Sequence, residues 1–206
     1  AFVGFLNGVL IVRFRVPDLL ATLGMMFLLL GLQLIPTAGR SIATGMMLPD
    51  GSTATGTFTA AFLSRGRYRV FVLVPISVLV MIGLAIIITI FLTFTRYGRI
   101  MYAIGSNAQA ARLAGAPVER YKIAAYMISG VFASVGGILL AARVGRGDVS
   151  SGNSLLLDAV AAALIGFAVF GAGNPNAVGT AIGALFVGLL LNGLTMMNAP
   201  YYAQDF

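Results

Sequence analysis

The sequence predicts an all-α, polytopic transmembrane helical bundle of about five spans plus one partial span. Two observations carry this. The chain of 206 residues is 59% hydrophobic and only 9% charged, and its mean hydropathy of +0.99 lies far from the balance of a soluble domain. Stretches free of Asp, Glu, Lys and Arg run over Leu19–Gly39, Val70–Thr95, Ile123–Ala142 and Ala159–Gln204, and each is long enough to cross about 30 Å of hydrocarbon. The alternating ten-residue segments of an outer-membrane barrel are missing.

Taken in order, Ala1–Val12 is apolar with no basic region ahead of it, and reads as a helix entered midway. Arg13-Phe-Arg15 and then Pro17 open the second span, Asp18 to about Ala38, with Asp18 in the first turn where the helix dipole tolerates an acid. Residues 39–69 are rich in Gly, Ser and Thr, carry the turn signal Pro49-Asp-Gly51, and read as an exposed loop with a short surface helix around Phe58–Leu63. The third span is Val70–Phe94, where length overrides the strand preference of Val and Ile and Pro75 falls in the first turns. A polar connector, Thr95–Lys122, leads into the fourth span, Ile123–Ala142.

After a loop at Arg143–Ser154, Leu155–Phe170 at 1.5 Å per residue reaches only about 24 Å, short of a full crossing. Gly171-Ala-Gly-Asn-Pro-Asn176 interrupts the apolar run. The last span, Ala177–Met197, contains Gly179, Gly183, Gly188 and Gly193 at spacings that let helices approach closely. The chain stops soon after this span, so both ends are expected to continue in a longer protein.

Cys, His and Trp are all absent, which removes disulfides, thiol nucleophiles, imidazole bases and the commonest metal ligands. No paired carboxylates share a span and no Gly-x-x-x-x-Gly-Lys-Ser/Thr phosphate loop is present, so no catalytic residue, metal site or cofactor is expected and the chain does not read as an enzyme. The formal charge of +7 fits loops held near anionic lipid or the cytoplasm rather than nucleic-acid binding. With alternating topology, Arg13, Arg15, Arg96, Arg99, Arg112, Arg120 and Lys122 share one side. Arg40, Arg65, Arg67, Arg69, Arg143 and Arg146 share the other, so charge leans only slightly towards a cytoplasmic connector.

The connector reads Thr95-Arg-Tyr-Gly-Arg99, Tyr102-Ala-Ile-Gly105-Ser-Asn107, Ala110-Ala-Arg112-Leu-Ala-Gly115, then Lys122, Tyr126 and Ser129-Gly130. This resembles the signature loop of the ribose and simple-sugar ABC permease family. The likeness continues through Asn7-Gly8, Thr22-Leu-Gly24, Asp158-Ala-Val-Ala-Ala162, Gly179-Thr-Ala-Ile-Gly-Ala184 and Asn192-Gly-Leu194. It departs at Leu156, Phe167 and Asn174-Pro-Asn176, where relatives have a glutamate, a glycine and a simpler glycine run. The resemblance implies one permease domain over residues 1–206, with a periplasmic loop at 39–69 and a cytoplasmic coupling loop at 95–122. It also implies a place in the bacterial inner membrane and three partners: an ATP-binding subunit, a periplasmic sugar-binding protein and a second permease copy or paralogue.

The residues of the connector agree with that role. Asn107 can cap a short helix of good helix formers, and Gly115 followed by Pro117 ends it. Ala110, Leu113 and Ala114 then share a small-residue face suited to a groove on another protein, with Ala111 flanking it. With the resemblance, Arg99, Gly105, Asn107, Ala110, Ala111, Arg112, Leu113 and Gly115 become the expected coupling site to the ATPase. Without it, the segment would read as an interfacial helix with snorkelling arginines.

An ion-coupled secondary transporter or channel is the alternative. Such carriers need ionisable groups or broken helices at mid-membrane. Asp158 lies within a predicted span but in the first turn after Asn153-Ser154, where a capping or dipole role fits, while Gly171–Asn176 could imitate a discontinuous helix. Candidates for lining a sugar path are Asn7, Thr22, Gln33, Ser129 and Asn192, each of which could equally be satisfied within the bundle.

Overall fold

The computed structural model describes residues 1–37, 42–43, 47, 69–70, 74–147, 151–170 and 176–197. In chain order the elements are α1 (Phe2–Arg13), α2 (Asp18–Thr37), β1 (Ile42–Ala43), β2 (Arg69–Val70), β3 (Val74–Pro75), α3 (Ile76–Phe94), α4 (Arg96–Ser106), α5 (Ala108–Leu113), α6 (Val118–Val144), β4 (Arg146–Gly147), α7 (Ser151–Phe170) and α8 (Ala177–Met196). Among the described residues four helices are long and apolar enough to cross a membrane, namely α2, α3, α6 and α8. Phe2–Arg13 and Leu155–Ala168 are shorter apolar helices. The short surface helix expected at Phe58–Leu63 and most of the Gly171–Asn176 break lie outside the described residues.

The chain divides into two compact units, Ala1–Val78 with Leu92–Val149, and Leu79–Phe91 with Ser150–Phe206. Within the first, α1 packs along α6 in antiparallel register. A side chain at Gly8 would sit 2.9 Å from the Ile123 Cα, one at Gly4 would collide with the Tyr126 carbonyl, and Gly130 lies beside Ala1 and Gly4. At the other end of α6, β4 pairs antiparallel with β1, Ile42 opposite Gly147 and Ala43 opposite Arg146, which ties the residues after α2 to those after α6. Gly145, left-handed at φ 76°, closes α6 with its N–H on the Ala141 carbonyl at 2.8 Å.

The second unit is built on α7 and α8. Gly166 faces the backbone of Gly179 and Thr180, and Gly183 faces the Ala162 carbonyl, so the two helices touch backbone to backbone. Asn176 starts α8 by accepting from the Gly179 N–H. Lipid tails already solvate apolar side chains, so in a bilayer such helices associate through close fit rather than hydrophobic expulsion. The burial pattern agrees: among the described residues the buried hydrophobics are Ile11, Ala21, Ile104, Ala111, Val118, Ala142 and Ala162, while Phe2, Phe27, Ile35, Phe94 and Leu189 stay exposed.

Three expectations are corrected. The third span begins at Ile76, not Val70: Pro75 stands in β3, paired with Arg69, ahead of the helix. Proline lacks an N–H and disfavours helical backbone at the residue before it, which places the helix start just after it. The fourth helix begins at Val118, so Glu119, Arg120 and Lys122 belong to its first turns rather than to a loop. And α7 begins at Ser151, which puts Asp158 two turns inside it with no acid in the first turn. The dipole effect fades within one turn, so the capping role given to Asp158 is withdrawn.

Candidate functional site

The connector is helical for most of its length. Thr95 opens α4 by accepting the Gly98 N–H on Oγ1 at 3.1 Å, a cap that the sequence reading missed although Thr before a helical run is an ordinary signal for one. Asn107 then opens α5, its Oδ1 accepting from the N–H groups of Gln109 at 3.0 Å and Ala110 at 2.9 Å. The same segment closes on a Schellman motif. Gly115 N–H donates to Arg112 O and Ala116 N–H to Ala111 O, both at 3.0 Å, and Gly115 is left-handed at φ 82°. Space is not what reserves this glycine, because nothing lies within 4 Å of an added Cβ there. Its φ is, since a left-handed backbone disfavours any Cβ. At Gly105 a Cβ would also meet nothing within 4 Å among the described residues, which give its place in the motif no steric reason.

Between the two caps α5 turns Ala111 inward. Ile104 of α4, Ala111 of α5 and Val118 of α6 form one buried cluster, with Ile100, Ala108, Ala116 and Tyr121 packed against it. Tyr97 and Tyr121 brace α4 on α6 with ring centroids 6.5 Å apart. Ala111 is only 8% exposed whereas Leu113 is 85% exposed, and Ala110, Arg112 and Ala114 are exposed with it. Ala111, expected in the coupling site as a flank of the docking face, is therefore corrected to an anchor within the chain. The small-residue face read at Ala110, Leu113 and Ala114 is open to solvent, and Arg99 is exposed as well.

The five path candidates lie on four helices. Asn7 is on α1, Thr22 and Gln33 on α2, Ser129 on α6, and Asn192 on α8. Thr22 donates its hydroxyl to Asp18 O at 2.9 Å, and Asn192 donates Nδ2 to Gly188 O at 2.9 Å, so both are satisfied within their own helices. Ser129 and Gln33 are exposed. Asn7 differs: its Oδ1 is buried with no hydrogen-bond partner among the described residues, beside the Gly8 contact with α6. A groove of about 280 Å³ between α3 and α8 is lined by Ile82, Ile86, Val178, Ile182 and other apolar side chains, and takes in none of the five.

The family described as "Branched-chain amino acid transport system / permease component" matches residues 1–206. The chain belongs to this permease family. Among curated relatives, the ribose import permease protein RbsC of Escherichia coli (strain K12) is 35% identical over 204 residues, which is 99% of this chain and 60% of that protein. RbsC of Bacillus subtilis (strain 168) is 33% identical over 198 residues, 96% of this chain and 58% of the relative. The xylose transport system permease protein XylH of Escherichia coli (strain K12) is 42% identical over 112 residues, 54% of this chain and 28% of the relative. The chain thus spans about 60% of the length of the ribose relatives. No solved structure matches it significantly. Membership in this permease family makes the chain a multi-pass inner-membrane transport component, in keeping with its apolar helices, and sets aside the ion-coupled alternative.

Proposed function

We propose that this permease is the membrane-spanning subunit of a bacterial ABC importer for a simple, ribose- or xylose-like sugar. A separate ATP-binding subunit drives it, a periplasmic binding protein delivers the sugar, and a second permease, identical or paralogous, completes the pathway. The relatives named for ribose and xylose support the sugar over the amino acids of the family's own description. In this reading residues 39–69 face the periplasm, residues 95–122 face the cytoplasm, and Arg99 and Arg112 make polar contacts to the ATPase.

The observation that carries the reading is the connector itself. A six-residue helix fixed by a cap at each end and anchored inward by Ala111 presents Ala110, Leu113 and Ala114 outward. Short helices held this way dock as a unit, because their ordering entropy is already spent. Leu113→Asp tests it: the side chain is exposed, so folding and membrane level stay at wild type. An unpaired charge carried into an interface costs several kcal/mol, so ATPase co-purification and sugar uptake should both be lost. Ala111→Asp cannot serve, since it would charge the chain's own core. Retention of both properties by Leu113→Asp refutes the docking role. Uptake of leucine instead of ribose or xylose by the wild type refutes the substrate. The chain has no cysteine, so a single Cys at Ser106 reports the sidedness, and labelling by an impermeant reagent from outside intact cells refutes the orientation.

A further inference from the structure

Between α1 and α2 the chain turns through Phe14, Arg15, Val16 and Pro17. Arg15 has φ 56° and, among the described residues, is the one residue other than glycine in the left-handed region. That backbone suits glycine or asparagine, and a long charged side chain there is uncommon. The turn thus carries a cation at the position where a glycine would relax it. Arg15 is exposed, as are Arg13 beside it and Phe14, the last at 68%.

The antiparallel register of α1 on α6 fixes what lies at the same level. Gly4 meets Tyr126 and Gly8 meets Ile123, so the last turn of α1 lies alongside Val118–Glu119, and Arg120 and Lys122 share its end. Among the described residues none of these four cations forms an ion pair. The turn joins two apolar helices directly, so it sits where hydrocarbon gives way to headgroups. Its exposed aromatic ring and flanking guanidiniums are the groups that such a depth accommodates. A guanidinium matches a phosphate with two parallel N–H bonds.

We propose that the α1–α2 turn, through Arg13 and Arg15 with Arg120 and Lys122 of α6, binds the phosphate of an anionic phospholipid headgroup while Phe14 enters the acyl boundary. The site is independent of the transport reading. It is tested on the protein reconstituted into nanodiscs of phosphatidylcholine with and without phosphatidylglycerol, by counting lipids retained after release into the gas phase. The wild type should retain phosphatidylglycerol in preference to phosphatidylcholine. Arg15→Gly and Arg15→Asn should retain about fivefold less, the change expected for one cation at an anionic surface, with melting temperature unchanged or raised because both residues accept the left-handed backbone. Arg112→Gln removes the same charge from α5 and should leave retention unchanged. Wild-type retention by Arg15→Gly, or an equal loss in Arg112→Gln, overturns the proposal, the second outcome reducing the effect to bulk charge. Loss of the ATPase from Arg15→Gly with lipid retention intact would assign the turn to a protein contact instead.

Discussion

The two close helix crossings, α1 on α6 and α7 on α8, reach the same proximity by different means. At the first, the glycines are mainly on one side: Gly8 accepts the Ile123 side chain as well as its Cα, and Gly4 meets the Tyr126 carbonyl. At the second, both helices contribute small residues, and Gly166, Gly179 and Gly183 each meet backbone atoms of the partner helix or its cap. A side chain can rotate away from an added methyl, but a helix backbone cannot without moving the helix. The first crossing should therefore yield by degrees at Gly8, where part of the contact is a side chain, while Gly4 and the two-sided crossing meet backbone and should not.

The largest effect is expected for Gly166→Leu, whose side chain would have to displace the Gly179–Thr180 backbone. Urea titration of the purified protein should show a loss of about 3 kcal/mol or more, with proteolysis appearing between α7 and α8. Gly4→Ala comes next at about 2 kcal/mol, because its one methyl is set against a carbonyl that α6 cannot withdraw. For Gly8→Ala we expect about 1 kcal/mol, partly recovered in the double variant with Ile123→Ala, which removes the Cγ1 that the added methyl meets, since a cycle of these two reports their direct coupling. No recovery would mean that the backbone contact dominates there too, and the contrast between the crossings would narrow. Smallest should be Gly188→Ala, where nothing lies within 4 Å of an added Cβ: the titration should move by no more than about 0.5 kcal/mol. A loss as large as that of Gly4→Ala would show that another chain covers this face.

Much of this was legible before any coordinates. The charge-free runs found α2, α3, α6 and α8, and the motif Asn107 to Gly115 gave the cap and the closing glycine of α5. The helix boundaries that escaped have a common cause, namely that absence of charge marks the bilayer and not the helix. Thus α6 extends back through Glu119, Arg120 and Lys122 to Val118, because charged residues in a first turn stay helical while lying in water. Conversely, Val70 and Val74 are apolar yet lie in short strands ahead of the helix, where Pro75 sets the boundary. The inward turn of Ala111 was hidden for a different reason: small residues fill both sides of α5, and only the positions of Ile104 and Val118 decide which alanine is anchored. Arg15 gave no sequence signal at all, since nothing in Phe14-Arg-Val-Pro17 requires a left-handed residue.

The buried cluster of Ile104, Ala111 and Val118 has a mechanical consequence. It welds the short α5 to the base of α6, and α1 is clamped to the same helix a little higher by Gly8 and Gly4. With 27 residues in α6, the helix is about 40 Å long. A push on α5 would be applied at the base of this helix, and a tilt of about 5° about that base would carry the far end through about 3.5 Å if the helix moved as one piece. The sparse core would then serve as a fulcrum: two aliphatic side chains and one methyl would turn a small movement of α5 into a displacement of atomic size at the far end of α6.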